Sequence, residues 1–214
     1  MVKNTLEGNI IVAGVVKAVY AAKDATHPTT VVLEESHYDK DKKEDVTEEY
    51  RVAFFNSKDN EKVKRAEWAA KIKKDSFIMV LGVLSDPYEG TQQMVGFSFK
   101  YGGCYTFLDE EGNEKNLILG SFVPNKEQKN KNYYRGSIPE TVRENGEEKT
   151  IFHNISFGFS KSTKKAENAE KCLKKRGDKY TKVLALCSEN SGNDDFPFSY
   201  FGQRFDLVPA KKED

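Results

Sequence analysis

The sequence predicts a mostly β chain of two small barrels in tandem, each with one helix between its third and fourth strands. Two observations carry this. Short runs rich in Ile, Val and Thr recur between polar, turn-forming stretches, which is how strands rather than helices read. The order of strand and helix signals in the first half then returns in the second, about 100 residues on by this count of the repeat period. The 214 residues leave room for two domains of that size, each with a core of its own.

In order, residues 9–20 and 29–33 are dense in β-branched side chains and read as strands. Residues 39–49 are mostly Asp, Lys and Glu and precede the strand 50–55, so the pair reads as a hairpin with a long charged tip. Between 58 and 74 the alternation is lost, and Val63, Ala66, Ala69, Ala70 and Ile72 take helical spacing among good helix formers. Residues 77–84 return to strand, Asp86-Pro87-Tyr88-Glu89-Gly90 is turn chemistry, and 93–101 is a last strand. The second half restarts at a strand over 117–123, and its helix sequence Ala166-Glu167-Asn168-Ala169-Glu170-Lys171 matches Ala66-Glu67-Trp68-Ala69-Ala70-Lys71. In the same alignment Phe55 faces Phe157. The expected organisation is a first domain over 1–108, a linker over 109–115 in the polar, glycine-bearing Asp109-Glu110-Glu111-Gly112-Asn113-Glu114, and a second domain over 116–214.

Lys plus Arg and Asp plus Glu are 34 each, so no net field draws the whole molecule to a polyanion, and any such site must be a local patch. With 14 Phe and 10 Tyr the chain is too aromatic to be disordered. Cys104, Cys172 and Cys187 are odd in number and lack Cys-x-x-Cys spacing, which supports neither a disulfide framework nor a zinc site and fits a reducing cytoplasm. No apolar run approaches the roughly 20 residues of a membrane span.

Five strands with a helix between the third and fourth is the order of an OB-fold barrel. Local sequence sharpens this. Asn9-Ile10-Ile11-Val12-Ala13-Gly14-Val15-Val16, then Glu35-Ser36-His37-Tyr38-Asp39-Lys40, then Tyr50-Arg51-Val52-Ala53-Phe54-Phe55, and finally residues 69–84 resemble, in order, segments of the bacterial single-stranded-DNA-binding protein family. The resemblance spans residues 6–105 and, more faintly, 116–208. It implies a tandem OB-fold protein that binds and protects single-stranded DNA in replication or recombination. By analogy with two-barrel members, it also implies a homodimer that brings four OB folds together. Two departures stand out: His37 and Glu49 occupy places where the family stacks tryptophans, and the chain ends Pro209-Ala210-Lys211-Lys212-Glu213-Asp214 without the family's acidic tail. Asp194-Asp195-Phe196-Pro197-Phe198 looks like the tip of that tail but sits between two expected strands, where a hairpin is the simpler reading.

Binding a single strand without strict sequence preference needs cations for phosphates and flat side chains on which bases stack. The candidate stackers are Tyr20, His37, Tyr38, Phe55, Tyr88, Tyr101, Tyr133, Tyr134, Phe157 and Phe159. The cations beside them are Lys17, Arg51, Lys100, Arg135, Lys161 and Arg204. A barrel interior also takes large side chains, so each aromatic competes with a core role. Phe54 and Phe55 are neighbours on a strand and must face opposite ways. Trp68, on the helix, is expected to pack against the barrel bottom.

No catalytic residue, metal or cofactor is expected. His27, His37 and His153 lack ligand spacing, Asp39, Asp41 and Asp45 lack the frame of a calcium loop, and no phosphate-cradling glycine motif is present. Neither a membrane partner nor a small-molecule substrate is implied. The competing reading is a tandem OB protein-interaction or assembly module of a phage or mobile element that binds no nucleic acid, which the balanced charge and missing tryptophans favour.

Overall fold

The computed structural model describes residues 1–39, 42–57, 63–128, 132–158, 169–174 and 179–209. They form two compact units, one running from Met1 to Tyr101 and the other from Gly102 to Pro209.

The first unit contains β1 (Val2–Asn4), β2 (Ile10–Tyr20), β3 (Thr29–Asp39), β4 (Glu44–Phe54), α1 (Arg65–Ala69), β5 (Phe77–Tyr88) and β6 (Thr91–Lys100). β2 pairs with β3 and with β5, β3 with β4, and β5 with β6, all antiparallel, while β4 and β6 run parallel. The result is a closed five-stranded barrel in the order β2-β3-β4-β6-β5 and back to β2, which is the OB strand order. Alternation fills it: Ile10, Val12 and Val16 on β2, Val31 and Leu33 on β3, Val52 and Phe54 on β4, Ile78 and Val80 on β5, and Met94 on β6 all point inward. Ala69 and Ile72 close one end. The helix start is tied to the barrel from both sides, because Asn56 Oδ1 accepts the Ala66 N–H at 3.0 Å and the Thr29 hydroxyl donates to the Ala66 carbonyl at 2.8 Å.

The second unit contains β7 (Gly103–Leu108), β8 (Glu114–Ser121), β9 (Val123–Pro124), β10 (Tyr133–Glu144), β11 (Glu147–Gly158), β12 (Lys182–Cys187) and β13 (Ser199–Leu207). Its single sheet runs β7-β8-β12-β13-β11-β10-β9, again with one parallel pair, β11 with β13. This is the pairing succession of the first unit with one ladder missing. A Cβ added to Gly120 on β8 would lie 2.4 Å from Ile138 Cγ2 on β10, so the two strands approach, yet no hydrogen-bonded ladder joins them. The expected second closed barrel is therefore an open sheet. It is packed around Ile118, Phe122, Ile138, Ile155, Phe157, Val183 and Ala185, with Ala169 and Leu173 from a helical stretch at 169–173.

Five local expectations need correction. The expected linker over 109–115 is the turn of the β7–β8 hairpin, and it is built like the β1–β2 turn. Thr5 N–H bonds the Asn9 carbonyl at 2.9 Å as Asp109 N–H bonds that of Asn113 at 2.9 Å, with Gly8 and Gly112 both left-handed at φ 77° and 81°. Glycine, asparagine and acidic residues serve tight turns as readily as linkers, which is why composition misplaced the boundary. The charged stretch over 39–49 is mostly strand, since β3 and β4 pair out to Asp39 and Glu44. The helix expected from 58 onward runs only from Arg65 to Ala69 among the described residues. Trp68 is 48% exposed rather than packed beneath the barrel, because the helix turns Ala66 and Ala69 inward instead. Finally, the structural counterpart of Phe157 is Phe54, not Phe55. Each ring sits against a glycine of the parallel neighbour, Gly96 for Phe54 and Gly202 for Phe157, where a Cβ would come within 2.5 and 2.3 Å of the ring. Residues 188–198 form the expected connection between β12 and β13, closed by reciprocal backbone bonds between Asn193 and Phe196 at 3.1 Å.

Phe54→Ala and Phe157→Ala should each cost about 3–5 kcal/mol of stability, whereas Phe55→Ala, at a 43% exposed residue, should cost about 1 kcal/mol or less. Denaturant melts of the three variants test the assignment, which fails if Phe55→Ala is the most damaging. Alkaline pH provides a second test. Burial pushes the thiol of Cys187 and the phenols of Tyr50 and Tyr200 up, Tyr50 further by its bond to Glu48. The folded chain then holds protons that the unfolded chain releases, so stability is intact below the unfolded pKa values and is lost as pH rises through them. The melting temperature should fall above about pH 9.

Candidate nucleic-acid interface

On the outer face of the first barrel, register sets side chains from four strands in rows. Ala18, Val32, Arg51 and Gln93 are successive Cα partners across β2, β3, β4 and β6, and Tyr20, Thr30, Ala53 and Val95 form the next row. A bulge in β2 between Val16 and Ala18 leaves Lys17 as the extra residue, so Lys17 and Ala18 both reach this face. Lys17, Ala18, Tyr20, Thr30, Val32, Glu49 and Arg51 line a groove of about 460 Å³. Phe55 follows Ala53 by two residues and Phe97 follows Val95 by two, which puts both rings on the same outward parity, and both are exposed. The groove thus offers an exposed phenol and two cations on a rigid floor, the parts a stacked base and its phosphate need.

Both cations already have partners. Lys17 Nζ lies 2.7 Å from Glu34 Oε1, and Arg51 Nε lies 3.4 Å from Glu49 Oε1. Glu34 and Glu49 are themselves direct cross-strand partners, so two carboxylates face each other beside the two cations. Such a pair of like charges costs about 0.2–1 kcal/mol, close to what exposed ion pairs return.

The remaining residues expected in the first unit are not gathered there. Tyr38 shares the outward parity of Val32 but pairs with Asp45 near the hairpin end, about 20 Å along the strand from Val32. His37 faces the other way, its Nδ1 2.8 Å from Glu35 Oε2, and the same buried carboxylate takes the Met1 ammonium at 2.6 Å. Tyr88 is exposed at the β5–β6 turn, where Glu89 and Gly90 are both left-handed. Lys100 pairs with Met79 on β5 at the end of β6, and Tyr101 follows it, edge-on to Phe99 at 5.9 Å.

In the second unit, Tyr134 and Phe157 belong to the core, not to a binding face. Tyr134 stacks on Phe122 at 6.0 Å, and Phe157 packs against Phe122 and Phe205 at 5.8 and 5.1 Å. Alternation is the reason: with Gly136 and Ile138 turned inward, Tyr134 must follow them and Tyr133 and Arg135 must not. Tyr133 and Arg135 do reach the outer face, where the Arg135 guanidinium lies 5.6 Å from the Tyr133 ring centre and Phe201 meets that ring edge-on at 6.1 Å. Phe159 and Lys161 lie outside the described residues. His153 is buried between Glu140 Oε2 at 2.7 Å and the Tyr200 hydroxyl at 3.3 Å, a closed structural cluster.

Sequence reading missed Phe97, Phe152 and Phe201, all exposed, and the carboxylate Glu34. Phe97 was recoverable, since Met94 and Gly96 set the parity of β6. Phe201 was not, because Tyr200-Phe201 offers two rings and no clue to which faces out. Phe152 stands in β11 where Glu49 stands in β4, five residues before the core phenylalanine in each case.

Among the described residues no helix is long and apolar enough to cross a membrane, and no group of His, Cys, Asp and Glu is placed to hold a metal. The fold defines an OB-type barrel in the first unit. No family model matches the chain, and no curated protein does. Among solved structures, the wild-type single-stranded DNA binding protein from Thermus aquaticus is similar at 15% identity over 96% of this chain and 95% of that one, with a TM-score of 0.31. A score that low leaves the function to be argued from the residues themselves.

Replacing both groove carboxylates, Glu34→Gln with Glu49→Gln, should change stability by less than about 1 kcal/mol, because the repulsion removed offsets the ion pairs lost. Denaturant melts of the double variant check this, and a loss of several kcal/mol would show that the carboxylates hold the barrel together.

Proposed function

We propose that this chain binds single-stranded DNA, its two units acting as tandem OB folds, with stacking on exposed aromatic side chains and phosphate contacts from nearby cations. What supports the reading is the groove in which register and a bulge bring Lys17, Tyr20 and Arg51 together. Bases of any sequence have a face to stack, so a phenol beside two cations recognises a flexible strand without reading its sequence. A duplex keeps its bases stacked inside and offers this groove only its phosphates.

One observation favours a second reading. The carboxylates of Glu34 and Glu49 occupy the cations a strand would use, as a surface built for a protein partner also would. Fluorescence anisotropy with labelled oligo-dT, against duplex of equal length, separates the two. The nucleic-acid reading expects micromolar or tighter, salt-sensitive binding to the single strand alone. It further expects Tyr20→Ala to weaken binding by about 1 kcal/mol, and the double Glu→Gln variant to tighten it, because each freed cation then meets phosphate without displacing a carboxylate. Absence of oligo-dT binding at low salt would leave only the protein partner.

A further inference from the structure

The outer face of the second unit differs from the groove of the first in one respect that bears on strength. The Arg135 guanidinium has no carboxylate partner among the described residues, and the row it shares continues through Ser156 on β11 to Phe201 on β13. The floor around it is uncharged: Ser137, Asn154 and Ser199 form the adjacent row.

The arginine is also held in place. β9 pairs with β10 only at Gly136 and Ser137, and the Asn125 N–H, 3.0 Å from the Arg135 carbonyl, and the side chain of Gln128 extend that edge by one residue. Its Oε1 accepts the Arg135 N–H at 2.8 Å, and its Nε2 donates to the Arg135 carbonyl at 2.8 Å. The Tyr133 and Phe201 rings meet over Gly158, where a Cβ would come within 2.5 Å of the Phe201 ring and 3.2 Å of Tyr133. Phe201 is nonetheless 46% exposed, so the pair presents ring surface to solvent while each ring braces the other. A ring already fixed by packing loses less freedom when a base stacks on it, and an unpaired cation beside it gains a phosphate without first losing a carboxylate.

We propose that the face built from Tyr133, Arg135 and Phe201 is the stronger single-strand contact of this chain, and that the groove of the first unit is the weaker one, screened by its own glutamates. The inference rests on the single-strand reading above. Phe152, exposed on the same face two rungs from Ser156, supplies a second ring about 13 Å away along β11.

The test is an oligo-dT anisotropy titration of the full chain and of Phe201→Ala, Arg135→Ala and Tyr20→Ala, with melting temperatures measured beside the affinities. Phe201→Ala should weaken binding about 10- to 100-fold, clearly more than Tyr20→Ala, while Phe201→Tyr retains binding. Arg135→Ala should flatten the slope of log K against log salt by about 0.7, the value for one single-strand phosphate contact. If the wild-type chain binds and folded Phe201→Ala and Arg135→Ala bind as tightly as wild type, the inference is overturned and the single-strand reading stands. Should Phe201→Ala fail to fold, the Arg135 salt slope and the retention of binding in Phe201→Tyr decide in the same way. A wild-type chain that binds no oligo-dT removes the reading on which the inference rests.

Discussion

The ring of Phe54 lies against Gly96 across the parallel pair β4 and β6, where a Cβ would sit 2.5 Å from the ring and 2.8 Å from Val52. That contact lets β6 lie beside β4, the strand that precedes the helix, while β5 pairs back to β2, so the barrel closes. The parallel pairing sets the parity of the whole outer face. With Phe54 inward, Arg51, Ala53 and Phe55 must turn outward, and with Gly96 inward so must Gln93, Val95 and Phe97. A one-residue slip would bury the groove's arginine and expose the core ring. The second unit repeats the device with Phe157 against Gly202, and there too the parity it sets decides that Tyr133, Arg135 and Phe201 face solvent while Tyr134 and Tyr200 do not.

Closure separates the two units. In the first, β2 is bonded on both edges, to β3 and to β5, and a bulge in the β3 ladder frees Lys17 to reach the groove. The second has no ladder between β8 and β10, and β10 spends its other edge on the short β9 and on the side chain of Gln128. Lys17 thus reaches its face through a bulge, whereas Arg135 reaches its own by regular alternation, its backbone bonded by the Gln128 amide and the Asn125 N–H.

Electrostatics explains how a chain with no net charge can still carry a locally positive surface. What matters is the local partner of each cation, not the sum. Lys17 and Arg51 are engaged by Glu34 and Glu49, which face each other because the β3–β4 register makes them partners. Arg135 stands among serines, an asparagine and two rings. The same count of acids and bases therefore yields one self-neutralised surface and one surface whose arginine has no carboxylate partner among the described residues.

The sequence by itself determined the mostly β composition and the first unit's five-strand order with a helix before the fourth, because strand, helix and turn signals are local. It also determined that Phe54 and Phe55 must part ways, and that Lys17, Tyr20 and Arg51 are chemically suited to a strand of nucleic acid. Only the tertiary structure decided which ring of each adjacent pair is core: Phe54 but not Phe55, Tyr134 but not Tyr133, Tyr200 but not Phe201. Parity within a strand is relative until a partner strand fixes it, and those partners can lie far away in sequence, as Phe201 does from Ser156, 45 residues on. The polar stretch at 109–113, with its one glycine, reads as a linker from composition, but whether it joined two units or two strands depended on the pairing of β7 with β8. The carboxylates beside Lys17 and Arg51 likewise emerge only from register, since no local pattern tells which glutamate a distant cation will meet.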